Sequence, residues 1–192
     1  MDDKPYIGID EVGRGPWAGP LVAVAAYGRD SDLPTGVTDS KQLSKKRRDS
    51  LHRDIVSSVR VGIGWSSPDE IDANGLSEAT ASAIEAALLS LGKTGPIFLD
   101  GNVNYLEGVE VSLSPKGDQN YPLIGAASIV AKQLRDRYMA YLDISYPAYG
   151  FAQHVGYGTK THQAALADYG VTPYHRRSFK PIAQYIDQAE GG

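Results

Sequence analysis

The chain alternates between short apolar runs and stretches rich in glycine, proline and polar residues, which is typical of a domain with several strands. Two runs near the start, Tyr6–Val12 and Leu21–Tyr27, are separated by a Gly- and Pro-rich turn and predict a pair of strands. Further apolar runs predict three more strands, at Val59–Trp65, Pro96–Asp100 and Val109–Leu113. The pattern therefore predicts five strands.

Apolar residues at helical spacing predict helices between and after these strands. The predicted helices run from Lys45 to about Val56 behind Ser44 as N-cap, over Ser77–Leu91, over Ser128–Leu142, and from Thr159 through about Tyr169. This order favours a mixed-sheet α/β domain with a C-terminal helical extension and a polar, frayed tail after Ile186. We expect a core at residues 1–145 and the extension at residues 146–192.

The composition is that of an ordinary globular domain and limits the chemistry. Of the 192 residues, 42% are apolar and none is cysteine, which excludes disulfides, zinc–thiolate sites and a thiol nucleophile. Any metal must be held by oxygen or imidazole, and carboxylate-rich sites favour Mg²⁺ or Mn²⁺. There is no signal pattern, and the apolar run Leu21–Tyr27 is too short to span a membrane, so we expect a cytoplasmic protein.

Charge is distributed unevenly along the chain. The net charge of −4 argues weakly against a nucleic-acid partner, but basic residues cluster at 41–48 and 175–180. The first cluster is expected to be a solvated helix face with diffuse attraction for nucleic acid. His154, His162 and His175 have no metal-ligand spacing, so we expect them to be structural or near a phosphate.

Four acids are candidates for a metal site because of where they fall. Asp10 and Glu11 end the first apolar strand, Asp100 ends another, and Asp118 precedes the Ser128 helix. An unpaired buried charge is costly, and a cation is one remedy. Converging carboxylates can hold two divalent ions that activate water for phosphate chemistry. Each acid except Asp10 could equally be a solvated or capping residue. Adjacent residues of a regular strand point to opposite sides, so either the strand bends at Val12-Gly13, or Asp10 and Glu11 enter such a site from different directions, one of them through its carbonyl.

The turn after these acids is suited to an anion, since Gly13-Arg14-Gly15 combines exposed backbone N–H groups with a guanidinium. Together with several later blocks it resembles the ribonuclease HII family, the bacterial type-2 ribonucleases H. The matching blocks occur in family order from residue 6 to about 180: Asp10 to Gly15 with Gly19-Pro20, Asp39 to Leu43, Leu99 to Asn102, Lys116 to Asp118, Ala126 to Lys132 with Arg135-Asp136, Gly156 to His162, and His175 to Phe179.

This resemblance implies a ribonuclease H-like fold, with a central mixed five-stranded sheet flanked by helices and a small C-terminal extension that helps to bind substrate. It implies that Asp10, Glu11, Asp100 and Asp118 are the catalytic acids and hold two Mg²⁺ or Mn²⁺ ions. The implied reaction is cleavage on the 5′ side of a ribonucleotide in RNA–DNA hybrids or duplex DNA, leaving 3′-hydroxyl and 5′-phosphate ends. Excision of misplaced ribonucleotides and removal of RNA primers would follow from that activity.

The resemblance also implies roles in substrate binding. Gly13-Arg14-Gly15 resembles the element that recognises the 2′-hydroxyl, and that group alone separates ribose from deoxyribose. Tyr157 matches the tyrosine that packs on the deoxyribose after the ribonucleotide, although a core tyrosine is the alternative. Lys41 is expected to contact a phosphate or to be merely solvated. Ser128 is expected mainly to cap its helix, with substrate contact secondary.

Other readings of the sequence remain open at this point. The related ribonuclease HIII lacks the Gly-Arg-Gly turn and carries an extra N-terminal domain, for which this sequence leaves no room. A non-catalytic nucleic-acid-binding module is disfavoured because all four acids are present. A hydrolase of small phosphates is disfavoured by the basic clusters and the turn. We expect a monomer, and the sequence shows no clamp-binding motif.

Overall fold

A computed structural model describes residues 3–37 and 43–190 of the chain. It contains the five predicted strands, β1 (Tyr6–Val12), β2 (Leu21–Gly28), β3 (Arg60–Ser66), β4 (Ile97–Asp100) and β5 (Ser112–Ser114). Four of them lie within one or two residues of their predicted bounds. The last was predicted at Val109–Leu113 and instead covers Ser112–Ser114.

The strands form one mixed sheet in the order β3-β2-β1-β4-β5. Strands β1, β2 and β3 are antiparallel neighbours, whereas β1, β4 and β5 run parallel to one another. In the register between β1 and β4, Ile9 lies opposite Leu99. The next residues along these two strands are Asp10 and Asp100, so the sheet itself brings two acids side by side.

The helices within the described part of the chain are α1 (Lys45–Ser58), α2 (Pro68–Asn74), α3 (Leu76–Leu91), α4 (Gly117–Asn120), α5 (Pro122–Ser145), α6 (Phe151–His154), α7 (Lys160–Tyr169) and α8 (Lys180–Glu190). None of the helices in this part of the chain is both long enough and apolar enough to cross a membrane. Ser44 and Thr159 cap α1 and α7, accepting from Arg47 N and His162 N as the sequence predicts.

The sheet is covered on both faces. Ile7 and Ile9 pack on the face that α3 covers, and Val22 and Val24 pack on the face that α1 and α5 cover. Helix α3 lies very close to β3, since a Cβ on Gly64 would come within 1.9 Å of the Ala83 carbonyl oxygen. The mixed sheet with helices on both sides confirms the predicted fold class.

A third apolar cluster joins the end of α5 to the C-terminal helices. It includes Met139 and Leu142 of α5, Phe151 of α6, Leu166 of α7 and Ile182 of α8. Helix α5 ends at Ser145, where the core was predicted to end, yet apolar side chains on both sides of that point pack together. The division at 145 stays a prediction.

The helices differ from the sequence-based expectation in several places. Helix α5 begins at Pro122, so Ser128 lies inside the helix and its predicted role as N-cap is wrong. Helix α2 was not predicted, although Ser67 and Glu70 form a capping box around its first turn. Helix α8 continues to Glu190, where a frayed tail was expected.

Candidate active site

A cavity of about 430 Å³ opens at the carboxyl ends of β1 and β4. The four predicted acids all line it, together with other residues of the same region: Asp10, Glu11, Val12, Asp100, Asp118, Ser128, Lys132, Arg135 and Tyr157. Strand ends in α/β sheets are the usual location of such sites. The fold therefore gathers acids that are more than 100 residues apart in sequence.

Asp10 and Asp100 stand on adjacent parallel strands and are held by backbone donors. Asp10 Oδ1 accepts from the N–H of Glu11 at 2.8 Å, and Asp100 Oδ1 accepts from the N–H of Gly117 at 2.7 Å. The second of these bonds ties β4 to α4, the short helix that carries Asp118. Side-chain rotation of both aspartates is thereby restricted.

Glu11 leaves β1 on the opposite side from Asp10, as alternation requires. Asp10 accepts a hydrogen bond from Ser128 of α5. Glu11 Oε1 instead lies 4.0 Å from Arg14 Nε, and Arg14 donates to Thr80 Oγ1 of α3 at 2.8 Å. The predicted divergence of the two acids is confirmed.

The electrostatics of the cavity favour a cation. Burial raises the pKa of Asp10 well above its usual range, and the nearby charges of Glu11 and Asp100 raise it further. The donors are carboxylate oxygens, which suit hard divalent ions such as Mg²⁺ and Mn²⁺. Among the described side chains, however, no three acidic or histidine residues are already arranged to hold a metal ion.

One face of α5 completes the cavity. Ser128, Lys132 and Arg135 are four and three residues apart, so they lie on the same side of the helix. Lys132 donates to Asp136 Oδ1 at 2.5 Å. Sequence reasoning missed Lys132 as a cavity residue. Its spacing from Ser128 is the signal that could have found it.

A buried arginine, Arg176, holds the Gly13-Arg14-Gly15 turn. Arg176 donates to the carbonyl oxygens of Gly13, Arg14 and Gly19 at 2.5 to 3.1 Å. Gly13 has φ +98°, and a Cβ there would lie 2.5 Å from Arg135 Nε. The turn therefore needs glycine at its first position for both conformation and space.

Tyr157 projects beside this turn. Its side chain is 49% exposed, and its Cε1 would lie 3.6 Å from a Cβ placed on Gly15. The glycines on either side of Tyr157 allow close packing. A Cβ on Gly156 would lie 2.2 Å from the Ala18 carbonyl oxygen, and a Cβ on Gly158 would lie 2.1 Å from the Trp17 ring. The exposed ring excludes the alternative of a core tyrosine.

Other predicted residues are placed differently. Lys41 lies outside the described residues. In the second basic cluster, His175 and Arg176 are buried, at 1% and 0% exposure, so they cannot attract nucleic acid directly. Arg14 is held by Thr80 and lies 5.2 Å from the centre of the Tyr105 ring, so its guanidinium turns toward α3.

The site therefore consists of carboxylates at the ends of the adjacent parallel strands β1 and β4 of a mixed five-stranded sheet. The sequence matches the family model Ribonuclease HII over residues 7–182. Curated relatives named Ribonuclease HII include one from Magnetococcus marinus, 46% identical over 95% of this chain and 88% of its own length. Another is from Jannaschia sp., 45% identical over 93% of this chain and 91% of its own length. The chain belongs to the ribonuclease HII family.

Solved structures share the fold. The ribonuclease H2 of Pyrococcus horikoshii superposes with a TM-score of 0.81 at 26% identity, covering 98% of this chain and all of its own length. The ribonuclease HII in a PCNA complex from Archaeoglobus fulgidus superposes with a TM-score of 0.78 at 28% identity, covering 91% of this chain and 94% of its own length. A Bst-RNase HIII structure with Mn²⁺ gives 0.71 at 17% identity, covering 99% of this chain and 71% of its own, and so shares only the fold. The predicted family and enzyme class are confirmed.

Proposed function

We propose that the protein hydrolyses the phosphodiester on the 5′ side of a ribonucleotide, in RNA–DNA hybrids or embedded in duplex DNA. The products would carry a 3′-hydroxyl and a 5′-phosphate. One observation carries the proposal: the four acids and Tyr157 line one opening, and Gly15 of the Gly13-Arg14-Gly15 turn lies beside Tyr157. In this proposal the acids carry out cleavage, and the turn and the tyrosine determine which phosphodiester bond is cleaved.

In this proposal Asp10, Glu11, Asp100 and Asp118 hold two divalent ions. When bound, such ions activate the attacking water and stabilise the leaving oxygen. Asp10 is already hydrogen-bonded by Glu11 N and Asp100 by Gly117 N, so each has an oxygen fixed by the backbone. Glu11 would join from the other side of the strand, through its carboxylate or its carbonyl. Lys132, from α5, would lie close to the phosphate and balance its charge.

The choice of bond would depend on the backbone of the turn. Arg176 holds its carbonyls, which leaves the N–H groups to approach a 2′-hydroxyl. Tyr157 would stack on the deoxyribose that follows the ribonucleotide. Ser128 would act mainly through its hydrogen bond to Asp10, with contact to substrate as a second role. Lys41 would contact a phosphate.

We place the protein in the cytoplasm, acting as a monomer on DNA that contains ribonucleotides, in ribonucleotide excision and primer removal. The archaeal relative was solved in a complex with PCNA. The sequence of this chain shows no clamp-binding motif. The proposal therefore includes no clamp.

The test is to incubate the protein with Mn²⁺ or Mg²⁺ and a duplex DNA containing one ribonucleotide, and to map the ends. A nick 5′ of that ribonucleotide is expected, with an all-DNA duplex uncut. Asp10→Asn should abolish cleavage while retaining binding. A folded wild-type protein that leaves the duplex intact, or cuts it elsewhere, would contradict the proposal.

The role of Tyr157 is tested separately. Tyr157→Ala should reduce cleavage at a single embedded ribonucleotide more than cleavage of an all-RNA hybrid. Tyr141→Ala is the matched control, since Tyr141 is 70% exposed and lies near the end of α5, away from the cavity. Equal losses on both substrates would remove Tyr157 from recognition of the junction.

A further inference from the structure

Three histidines lie buried behind Tyr157. His154 and His162 stack with ring centres 4.5 Å apart, and the rings of His162 and His175 lie 5.1 Å apart. His162 and His175 are 0% and 1% exposed. Their contacts run toward the backbone of the Gly156-Tyr157-Gly158 segment and away from the carboxylates of the cavity.

The hydrogen bonds of His175 and His162 form a chain with one possible assignment of protons. The N–H of Thr172 donates to His175 Nδ1 at 2.9 Å, and the Thr172 hydroxyl, which can also donate, lies 2.9 Å from the same nitrogen, so Nδ1 accepts and Nε2 carries the proton. His175 Nε2 lies 2.9 Å from His162 Nε2, which must then accept. His162 Nδ1 therefore carries its proton and donates to the Tyr157 carbonyl oxygen at 3.0 Å, and the same oxygen also accepts from the N–H of Thr159 at 2.8 Å. The donor at one end, Thr172 N–H, and the acceptor at the other, the Tyr157 carbonyl, thus require the same tautomers of the two histidines.

This chain works only with neutral rings. A second proton on either histidine would place two N–H groups face to face, at Thr172 or between the rings. Burial lowers the pKa of His162 to about 4 and that of His175 to about 3, which agrees with neutral rings. The other titratable groups whose rings pack against them are His154 and Tyr149.

The same segment is fixed from its other side. The N–H of Tyr157 donates to the His154 carbonyl at 2.9 Å, and the N–H of Gly156 donates to His154 Nδ1 at 3.2 Å. The carbonyl of Gly156 accepts from Trp17 N at 2.8 Å, which ties the segment to the loop after the turn. The peptide groups on both sides of Tyr157 are therefore hydrogen-bonded to groups that do not touch the cavity.

We propose that His162, held in one tautomer by His175, is a positioning residue that fixes the backbone of Tyr157 and thereby sets how the ring meets the substrate. The proposal rests on the role of Tyr157 proposed above. It assigns these histidines no contact with substrate or metal. It predicts that their loss acts only through Tyr157.

A double-mutant cycle tests this coupling. His162→Leu removes the donor and keeps most of the volume, and it should lower kcat/KM on a single-ribonucleotide duplex about tenfold, which corresponds to about 1.4 kcal/mol. In a Tyr157→Ala background the same substitution should cost less than about twofold. His162→Asn retains a donor near the Tyr157 carbonyl and should recover part of the loss. His52→Leu, at the fourth histidine, on α1, is the matched control.

The outcomes separate this proposal from the one on which it rests. If wild type makes no nick, the proposed function fails. If wild type cuts but Tyr157→Ala has no effect, the proposed role of Tyr157 fails, and the positioning role fails with it. The positioning role fails if Tyr157→Ala lowers kcat/KM but His162→Leu does not. It also fails if His162→Leu lowers kcat/KM by the same factor in the wild-type and Tyr157→Ala backgrounds. Should His162→Leu not fold, His175→Gln in the same cycle gives the decision, because it breaks the bond from Thr172 and keeps a donor toward His162.

Discussion

Arg176 offers the sharpest test of how the turn is held. Its guanidinium is fully buried and donates to three backbone carbonyl oxygens, those of Gly13, Arg14 and Gly19, at 2.5 to 3.1 Å. Burial lowers the pKa of Arg176, and the neighbouring Arg135 lowers it further. We predict the effect of Arg176→Lys, which keeps the charge and removes the planar fork.

The magnitude follows from the number of contacts. A lysine ammonium is a single point of charge and cannot span carbonyls that the guanidinium reaches from three nitrogens. If one carbonyl keeps a partner and two lose theirs, with each charged hydrogen bond worth about 1.5 kcal/mol or more, the free energy of unfolding falls by about 3 kcal/mol. For a chain of this size that lowers Tm by roughly 6–12 °C.

The assay is urea unfolding followed by circular dichroism, with Arg177→Lys as the matched control. Arg177 is exposed, and its contact with Asp72 is made by the backbone N–H, which lysine retains. We expect the control to change stability by less than about 0.5 kcal/mol. Cleavage by the folded Arg176→Lys variant should also become less selective for ribonucleotides, because the turn is released.

One result would refute this reasoning. If Arg176→Lys unfolds at the same urea concentration as Arg177→Lys and cuts with unchanged selectivity, the carbonyl contacts of Arg176 do not hold the turn. A loss of stability with unchanged selectivity would leave Arg176 as a purely structural residue.

Three further predictions concern stability. Asp10→Asn should raise the free energy of unfolding of the metal-free protein at pH 7 by about 1 kcal/mol or more, because burial and like charges raise the pKa of Asp10; added Mn²⁺ should raise Tm of wild type but not of the variant. Burial lowers the pKa of His162 and His175, so below about pH 6.5 the unfolded chain binds protons that the folded protein does not. Stability measured by urea unfolding should therefore fall by up to about 1.4 kcal/mol per pH unit for each histidine, down to about pH 4 for His162 and about pH 3 for His175. Gly64→Ala should destabilise by about 3 kcal/mol or more, seen as a lower Tm, because its Cβ would lie 1.9 Å from the Ala83 carbonyl oxygen.

Local sequence signals predicted most of the sheet. Strands such as β1 and β2 are long apolar runs bounded by turn residues, so their ends are marked locally. The edge strand β5 has three residues, two of them serine, and is defined by pairing with β4, which no local pattern shows. The start of α5 was placed six residues late because Pro122 was not used as a first-turn residue.

The sequence predicted those features of the candidate site that follow from the alternation of side chains along a strand. It did not predict the features that depend on contacts between residues far apart in sequence. The divergence of Asp10 and Glu11 follows from strand alternation alone. Nothing near Arg176 in sequence indicates that it binds the turn at Gly13, about 160 positions away. The basic cluster at 175–180 was visible in the sequence, but the burial of His175 and Arg176 was not, since a local charge run shows composition and not burial.

The loop between β1 and β2 takes its shape from the far end of the chain. Trp17, Ala18, Gly19 and Pro20 bond through their backbones to groups on α5, to Gly156 and to the segment at 174–176. Closing such long loops is slow and comes late in folding. A nascent chain can therefore complete its central sheet while the Gly13-Arg14-Gly15 turn is still unformed. The same dependence means that the turn cannot be grafted onto another core unless its C-terminal partners move with it.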